Sequence, residues 1–252
     1  LFLEKYRISR FIQRFLIKHF TAIIGPSREL TPNDSRSTYI SNGVDVNFFK
    51  RENIEKDSSR IVFICPRRWA PTKGVLFLAQ SLALLGKPYS SKVCVLFAGS
   101  DSDDFPWYRD QVTQALSKVA DDMYELLGNM SQEELRSSYS RSNVVVIPSL
   151  MEATSLAAME GMSCGLPVLS TNVGGMPDVV EHGVTGWLVP PEDAYALAKV
   201  IREIVDRHYD CDVMGASASR FVRDNKSWTS IAVRVSQLYC DGTRLKEYDL
   251  NE

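Results

Sequence analysis

Glu152 and Glu160 stand eight positions apart across what reads as a strand-to-helix junction, an unusual place to gather acid without a ligand to receive it. Upstream, Val144-Val145-Val146-Ile147 is an unbroken apolar run closed by Pro148, as expected of a strand covered on both faces. Thr154 and Ser155 then offer N-cap hydroxyls to a following helix. A helix start leaves backbone N–H groups directed outward with partial positive charge, so the N–H groups of Ser155 and Leu156 would receive a phosphate. Glu160, inside the helix, would accept hydrogen bonds from vicinal sugar hydroxyls, while Glu152, ahead of it, would reach a second group on the other side. In isolation the pair would read as a solvated loop acid and a surface helix acid. The next segment argues otherwise. Met162 to Thr171 reads as a helix end, a tight turn and a second buried strand, followed at once by Gly174-Gly175. Two glycines there permit close backbone approach to a ligand at the carboxyl edge of a parallel sheet, where open α/β folds bind.

Arg68 and Lys73 lie at the mouth of an earlier strand, Ile61-Val62-Phe63-Ile64-Cys65. Thr72 is expected to cap the helix that follows, which puts Lys73 in its first turn, where a cation opposes the macrodipole by about 0.3 to 1 kcal/mol. An anion is therefore expected nearby. Of the adjacent arginines, Arg68 rather than Arg67 has the five-residue step to Lys73. Asp101-Ser102-Asp103-Asp104 reads as a solvated acidic turn rather than a metal-binding pair. His19, His182 and His208 show no zinc spacing, so neither a metal nor a bound cofactor is expected. A Gly-x-Gly-x-x-Gly turn is also lacking, which removes a dinucleotide-dependent dehydrogenase.

The elements that would position these groups alternate. Strands are expected at residues 61–65, 92–98, near 124–127, at 144–147, at 168–171 and at 187–189. Between them, Val75, Leu78, Ala79, Leu82 and Leu85 mark a helix stopped by Gly86, and Pro106 opens a helix carrying Val112, Ala115, Leu116 and Val119. Ser131-Gln132-Glu133-Glu134 is a capping box. Leu197, Ile201, Ile204 and Val205 mark a further helix, and residues 214–241 give two more. Such alternation predicts an α/β fold: a Rossmann-like parallel sheet with helices on both faces, plus terminal helices. A net charge of −2 argues against nucleic acid as partner, and no stretch of 18 apolar residues is present to span a bilayer. The five cysteines have no paired spacing and read as reduced, which favours a cytoplasmic setting. Residues 1–24 form a basic amphipathic pattern, with Lys5, Arg7, Arg10, Arg14 and Lys18 among Phe2, Phe11 and Phe15. It suits either a helix packed on an absent partner or a peripheral contact at the cytoplasmic face of a membrane.

The order Glu152…Glu160, Gly165-Leu166-Pro167-Val168, Gly174-Gly175-Met176-Pro177-Asp178 and Gly183-Val184-Thr185-Gly186 resembles the donor-binding half of the GT-B glycosyltransferases of family 4. Arg68-Trp69-Ala70-Pro71-Thr72-Lys73-Gly74 is similar to that family's Arg-to-Lys-Gly element, and Leu127-Gly128-Asn129-Met130-Ser131 to the loop against which the base packs. The resemblance implies a retaining sugar transfer from a nucleoside diphosphate sugar to a hydroxyl acceptor. Arg68 and Lys73 would clamp the diphosphate, Glu152 would hold the transferred sugar and Glu160 the ribose. The N–H groups of Ser155 and Leu156 would meet the phosphate beside Thr154, and Gly128, Asn129 and Met130 would meet the base. Ala153 and Ser155 stand where the family usually has glycine, which narrows the sugar pocket. Arg68, Lys73 and Glu152 would then carry the rate by positioning and charge stabilisation. The implied organisation is a remnant of an amino-terminal domain and crossing segment at 1–45, the nucleotide-sugar-binding unit at 46–225 and a crossing helix at 226–252. Most of an acceptor-side domain would then be absent, leaving this fragment inactive alone. The alternatives are a nucleotide-sugar epimerase of the same architecture and a non-catalytic partner domain.

Overall fold

The computed structural model describes residues 19–20, 22–29, 31–54, 59–101, 103–206 and 210–249, the stretch 241–249 by backbone alone. Six parallel strands build the central sheet: β3 (Ile61–Cys65), β4 (Val93–Ala98), β5 (Tyr124–Gly128), β6 (Val144–Ile147), β7 (Val168–Thr171) and β8 (Gly186–Val189). Their order is β5-β4-β3-β6-β7-β8. The chain thus steps outward from β3 in one direction, returns to lay β6 beside β3, and steps outward in the other. Loops leaving β3 and β6 diverge to opposite faces, and that divergence opens a crevice at the carboxyl edge.

The unbroken apolar strands follow from cover on both faces. On one face, Phe63, Cys65, Val95, Phe97, Val144 and Val146 meet Val75, Leu78 and Leu82 of α1 (Val75–Leu85), Val112 of α2 (Pro106–Leu116) and Leu197, Ile201 and Ile204 of α5 (Ala194–Asp206). On the other, Val62, Ile64, Leu96, Val145 and Ile147 meet Tyr139 of α3 (Gln132–Ser140), Met159 and Met162 of α4 (Leu156–Ser163) and Ala218 and Val222 of α6 (Cys211–Asn225). Alternate strand residues serve alternate cores, as the two-residue period of a strand requires. Helix α3 carries both halves of the expected capping box, and Gly86 closes α1. Cys65 and Cys164 are buried, which pushes both thiols up to about 12 and keeps them protonated.

Outside the sheet, β1 (Ile23–Gly25) and β2 (Ser37–Tyr39) pair with each other in parallel. The helix expected over 1–24 lies outside the described residues as far as 18, and its last residues belong to β1 instead. Beyond β2, the N–H of Val44 donates to the Lys226 carbonyl at 2.8 Å, and the N–H of Trp228 to the Val44 carbonyl at 3.2 Å. This ties the segment after β2 to the start of α7 (Trp228–Asp249). Lys226, only 4% exposed, donates to the Tyr39 hydroxyl and Ser41 Oγ, both at 3.0 Å. Among the described residues no helix is long and apolar enough to cross a membrane.

One expectation is corrected at the mouth of β3. Pro71–Lys73 forms a single 3-10 turn, not the start of α1, because Gly74 follows in the left-handed region at φ 66° and the α-helix begins at Val75. Thr72 therefore caps nothing with its side chain. Its carbonyl instead accepts from the N–H groups of Leu150 at 2.8 Å and Met151 at 3.3 Å, docking the loop after β6 onto the loop after β3. A Cβ on Gly74 would lie 1.8 Å from the Pro148 carbonyl oxygen, so only glycine allows both the turn and the docking. Gly74→Ala is expected to lower the unfolding free energy by about 3 kcal/mol, from the left-handed penalty plus the backbone collision. Urea unfolding measures this, and an unshifted midpoint would mean the two loops do not meet.

Candidate functional site

The loop from Pro148 to Ser155 runs across the crevice between β3 and β6, held from both sides. Thr72 anchors its start, and Thr171 Oγ1, at the end of β7, donates to the Ser149 carbonyl. Its far side rests on Gly174-Gly175. The Gly175 N–H donates to the Glu152 carbonyl at 3.2 Å, and a Cβ on Gly174, at φ 53°, would lie 1.8 Å from that same oxygen. Those glycines therefore make room for the protein's own loop, where the sequence suggested close approach to a ligand.

Charge converges on Glu152. Arg67 Nη2 donates to Glu152 Oε2, to Ser149 Oγ at 3.2 Å and to Ser155 Oγ at 3.0 Å. Lys73 Nζ donates to the same carboxylate oxygen at 3.1 Å, and Ser149 Oγ lies 3.3 Å from it. The side chains of Arg67 and Glu152 are 10% and 11% exposed, that of Lys73 26%. Two cations against one carboxylate leave a local positive excess. The amino end of α4 adds to it, because Ser155 is its N-cap and accepts from the Ala158 N–H at 3.3 Å. The Nε of Arg67 is buried without a hydrogen-bond partner among the described residues. An anion at the crevice would meet this excess.

Glu160 follows one turn along α4. Tyr139, fully buried on α3, places its hydroxyl 3.2 Å from Glu160 Oε2 and 3.1 Å from the Ala157 carbonyl. Burial raises the Glu160 carboxyl above its ordinary value, opposed by the Tyr139 hydrogen bond and the charge of Arg67. The same burial, with the negative charge of Glu160, pushes the Tyr139 hydroxyl well above its ordinary value. That hydroxyl is therefore a permanent donor, and Glu160 is no surface helix residue.

The other expected residues are distributed as follows. Arg68 is exposed on the loop after β3, while its neighbour Arg67, set aside on spacing, is the arginine that reaches Glu152. Thr154 does not cap α4; its hydroxyl donates to the Pro26 carbonyl at 2.6 Å. Leu156 is exposed at the helix start. At the end of β5, Gly128 takes φ 67° and Asn129 Oδ1 accepts from Ser100 Oγ at 2.9 Å, joining the loops after β4 and β5. Met130 packs into the core beside α3. Asp101 pairs with Arg109 at 3.2 Å, and His182 Nδ1 accepts from the Leu188 N–H at 3.0 Å. Among the described residues no three His, Cys, Asp or Glu side chains cluster to hold a metal. Arg67, Ser149 and Tyr139 are contributors that spacing did not select. The adjacency of two arginines after β3 was the one signal available for the first.

The chain is 28% identical over 239 residues to the D-inositol 3-phosphate glycosyltransferase of Corynebacterium efficiens, covering 90% of this chain and 54% of that one. It is 31% identical over 183 residues to the corresponding protein of Mycolicibacterium smegmatis, covering 69% and 41%. It thus spans about half the length of these relatives. Among solved structures, sucrose-phosphate synthase from Thermosynechococcus elongatus superposes with a TM-score of 0.75 at 27% identity, over 87% of this chain and 58% of that one. HepE of Anabaena, solved in complex with UDP, superposes at 0.77 with 20% identity over 88% and 64%, a likeness of fold. Residues 46–228 match the family Glycosyl transferases group 1, so the six-stranded unit with its Arg67–Glu152–Lys73 crevice belongs to that family.

Proposed function

We propose that this chain is the donor-binding half of a retaining, metal-independent GT-B glycosyltransferase of family 4, taking a nucleoside diphosphate sugar. The observation that carries the reading is the convergence of Arg67, Lys73 and the amino end of α4 on Glu152 where the strand order reverses, with the buried carboxylate of Glu160 one turn further on. Solved complexes of HepE with UDP and with UDP-glucose support that donor class.

Arg67 holds Glu152 in place, and exposed Arg68 together with Lys73 takes the diphosphate, beside the N–H groups of Ser155 and Leu156. Glu152 meets the transferred sugar, Glu160 the ribose hydroxyls, and the Gly128-Asn129-Met130 loop the base. In transfer, the bond from sugar C1 to the diphosphate oxygen breaks while the acceptor oxygen bonds C1 from the same face. Its proton passes to the departing phosphate. No side chain need act as nucleophile, so positioning and stabilisation of the leaving diphosphate carry the rate. Residues 46–225 form the donor unit in this reading, with 1–45 and 226–252 as crossing segments. The acceptor side falls in the part of the relatives' length that this chain does not span.

Titration calorimetry with uridine, guanosine and adenosine diphosphates tests the reading directly, with micromolar binding of one of them as the expected result. Lys73→Ala should weaken that ligand at least tenfold, since a charge-assisted bond to phosphate is lost, while Glu152 keeps Arg67 and the loss of the more exposed cation costs about 1 kcal/mol of stability or less. Unchanged affinity would remove Lys73 from the diphosphate.

Because burial raises the Glu160 carboxyl, the folded chain holds that proton more tightly than the unfolded chain does. Stability from this group is complete below pH 4.5 and is lost as pH rises through the raised folded value. Glu160→Gln escapes that loss. It is expected to melt higher than wild type at pH 7, with the gap closing as pH is lowered toward 4.5, and to bind the nucleoside diphosphate more weakly. Thermal melts across this pH range are the measurement; a variant that melts lower at pH 7 refutes the trade.

A further inference from the structure

Among the described residues Tyr139 is the largest completely buried side chain, and its single hydroxyl hydrogen is shared between two acceptors of one helix, the Ala157 carbonyl and Glu160 Oε2. The ring is wedged. Phe49 meets it edge-on at 6.3 Å between centroids, and a Cβ added at Gly161 would lie 3.4 Å from it. The side chain of Val145, in β6, would lie 2.2 Å from that same added Cβ, so α4 approaches the sheet and the ring closely only because position 161 is glycine. A donor on so fixed a ring fixes what it touches.

Resting on the reading of the crevice given above, we infer that Tyr139 is the positioning residue for the ribose-binding carboxylate: it holds Glu160 Oε2 so that the carboxylate is presented ready-oriented to a vicinal diol. A glutamate side chain has three rotatable bonds and loses conformational entropy when it is ordered by a ligand. One hydrogen bond from a rigid, water-free donor removes that freedom in advance. Tyr139 engages only Oε2, and no hydrogen bond to Oε1 is present among the described residues, so at least one oxygen stays open to a sugar hydroxyl. The hydroxyl also stabilises the charged form of a carboxylate whose burial otherwise favours the proton. Without it, Glu160 would accept less strongly and from a looser rotamer. Tyr139 itself, buried beneath α4, touches no ligand.

The test compares three probes on wild type and Tyr139→Phe by calorimetry: the nucleoside diphosphate that binds best, its 2′,3′-dideoxy analogue and inorganic pyrophosphate. The expected result is a roughly tenfold loss for the ribonucleotide, the size of a hydrogen bond to a charged group, with the other two ligands within twofold of wild type. In the Glu160→Gln background the same substitution should then make no further difference to the preference for ribose over dideoxyribose. Equal losses for all three ligands, or none for the ribonucleotide, overturn the inference and leave Tyr139 a packing residue. If wild type binds none of the probes, it is the donor-site reading that falls; if wild type binds but does not prefer ribose, the ribose role of Glu160 falls with this one. Should Tyr139→Phe be recovered unfolded, 3-fluorotyrosine at 139 keeps the ring and makes the hydroxyl a stronger donor. The ribose preference is then expected to rise, and an unchanged preference overturns the inference.

Discussion

A carboxylate held nine-tenths out of water survives only if cations and dipoles replace the hydration it loses. Glu152 is in that position, and much of the crevice serves its needs. Arg67 reaches it from the loop after β3, Lys73 from the turn before α1, and Ser149 from its own loop. Removing Arg67, the more buried of the two cations, is the costly loss, typically about 3 to 5 kcal/mol for a buried pair. The arrangement is therefore tightly specified. Its positive excess and the amino end of α4 point the same way, which is what an anionic ligand requires.

Such a cluster needs backbone to be brought closer than ordinary loops allow. Gly74 and Gly174 flank the Pro148–Ser155 loop, and at each a Cβ would fall 1.8 Å from a carbonyl oxygen of that loop. The loop is thereby gripped between the turn after β3 and the turn after β7. Strand order makes the grip possible: β6 lies between β3 and β7, so the loops leaving all three emerge side by side. Chain direction, glycine placement and charge thus act on one short segment.

The two acids of the site have different environments. Glu152 is compensated by charge, whereas Glu160 has a neutral hydroxyl as its direct partner and is pushed toward its protonated form by burial. Stability at neutral pH would be better served by an uncharged group at 160, because burial opposes the charge of that carboxylate. The buried Lys226, held by hydroxyls and aromatic faces instead of a carboxylate, anchors the segment around β2 in a similar way.

Period and composition alone gave the sheet, because a parallel strand covered on both faces must be apolar throughout, as 61–65, 93–98 and 144–147 are. They also gave the capping box at Ser131, the stop at Gly86 and the crevice acids, since local hydrogen-bonding patterns and motif order are written in consecutive residues. What they could not give was direction. Thr72 and Thr154 read as caps, but the left-handed Gly74 separates Thr72 from the helix, and the Thr154 hydroxyl donates to the Pro26 carbonyl while Ser155 caps α4. Gly174-Gly175 read as room for a ligand and proved to be room for the Glu152 backbone. Tyr139 carried no signal in the sequence, because nothing near it along the chain is Glu160. Of two adjacent arginines, the five-residue step to Lys73 favoured Arg68, yet only the packed loops decide that Arg67 is the one that reaches Glu152. The sequence determined which chemical groups gather at the edge of the sheet; the tertiary structure decided which of them touch, because contact depends on loops meeting across distances that no local pattern encodes.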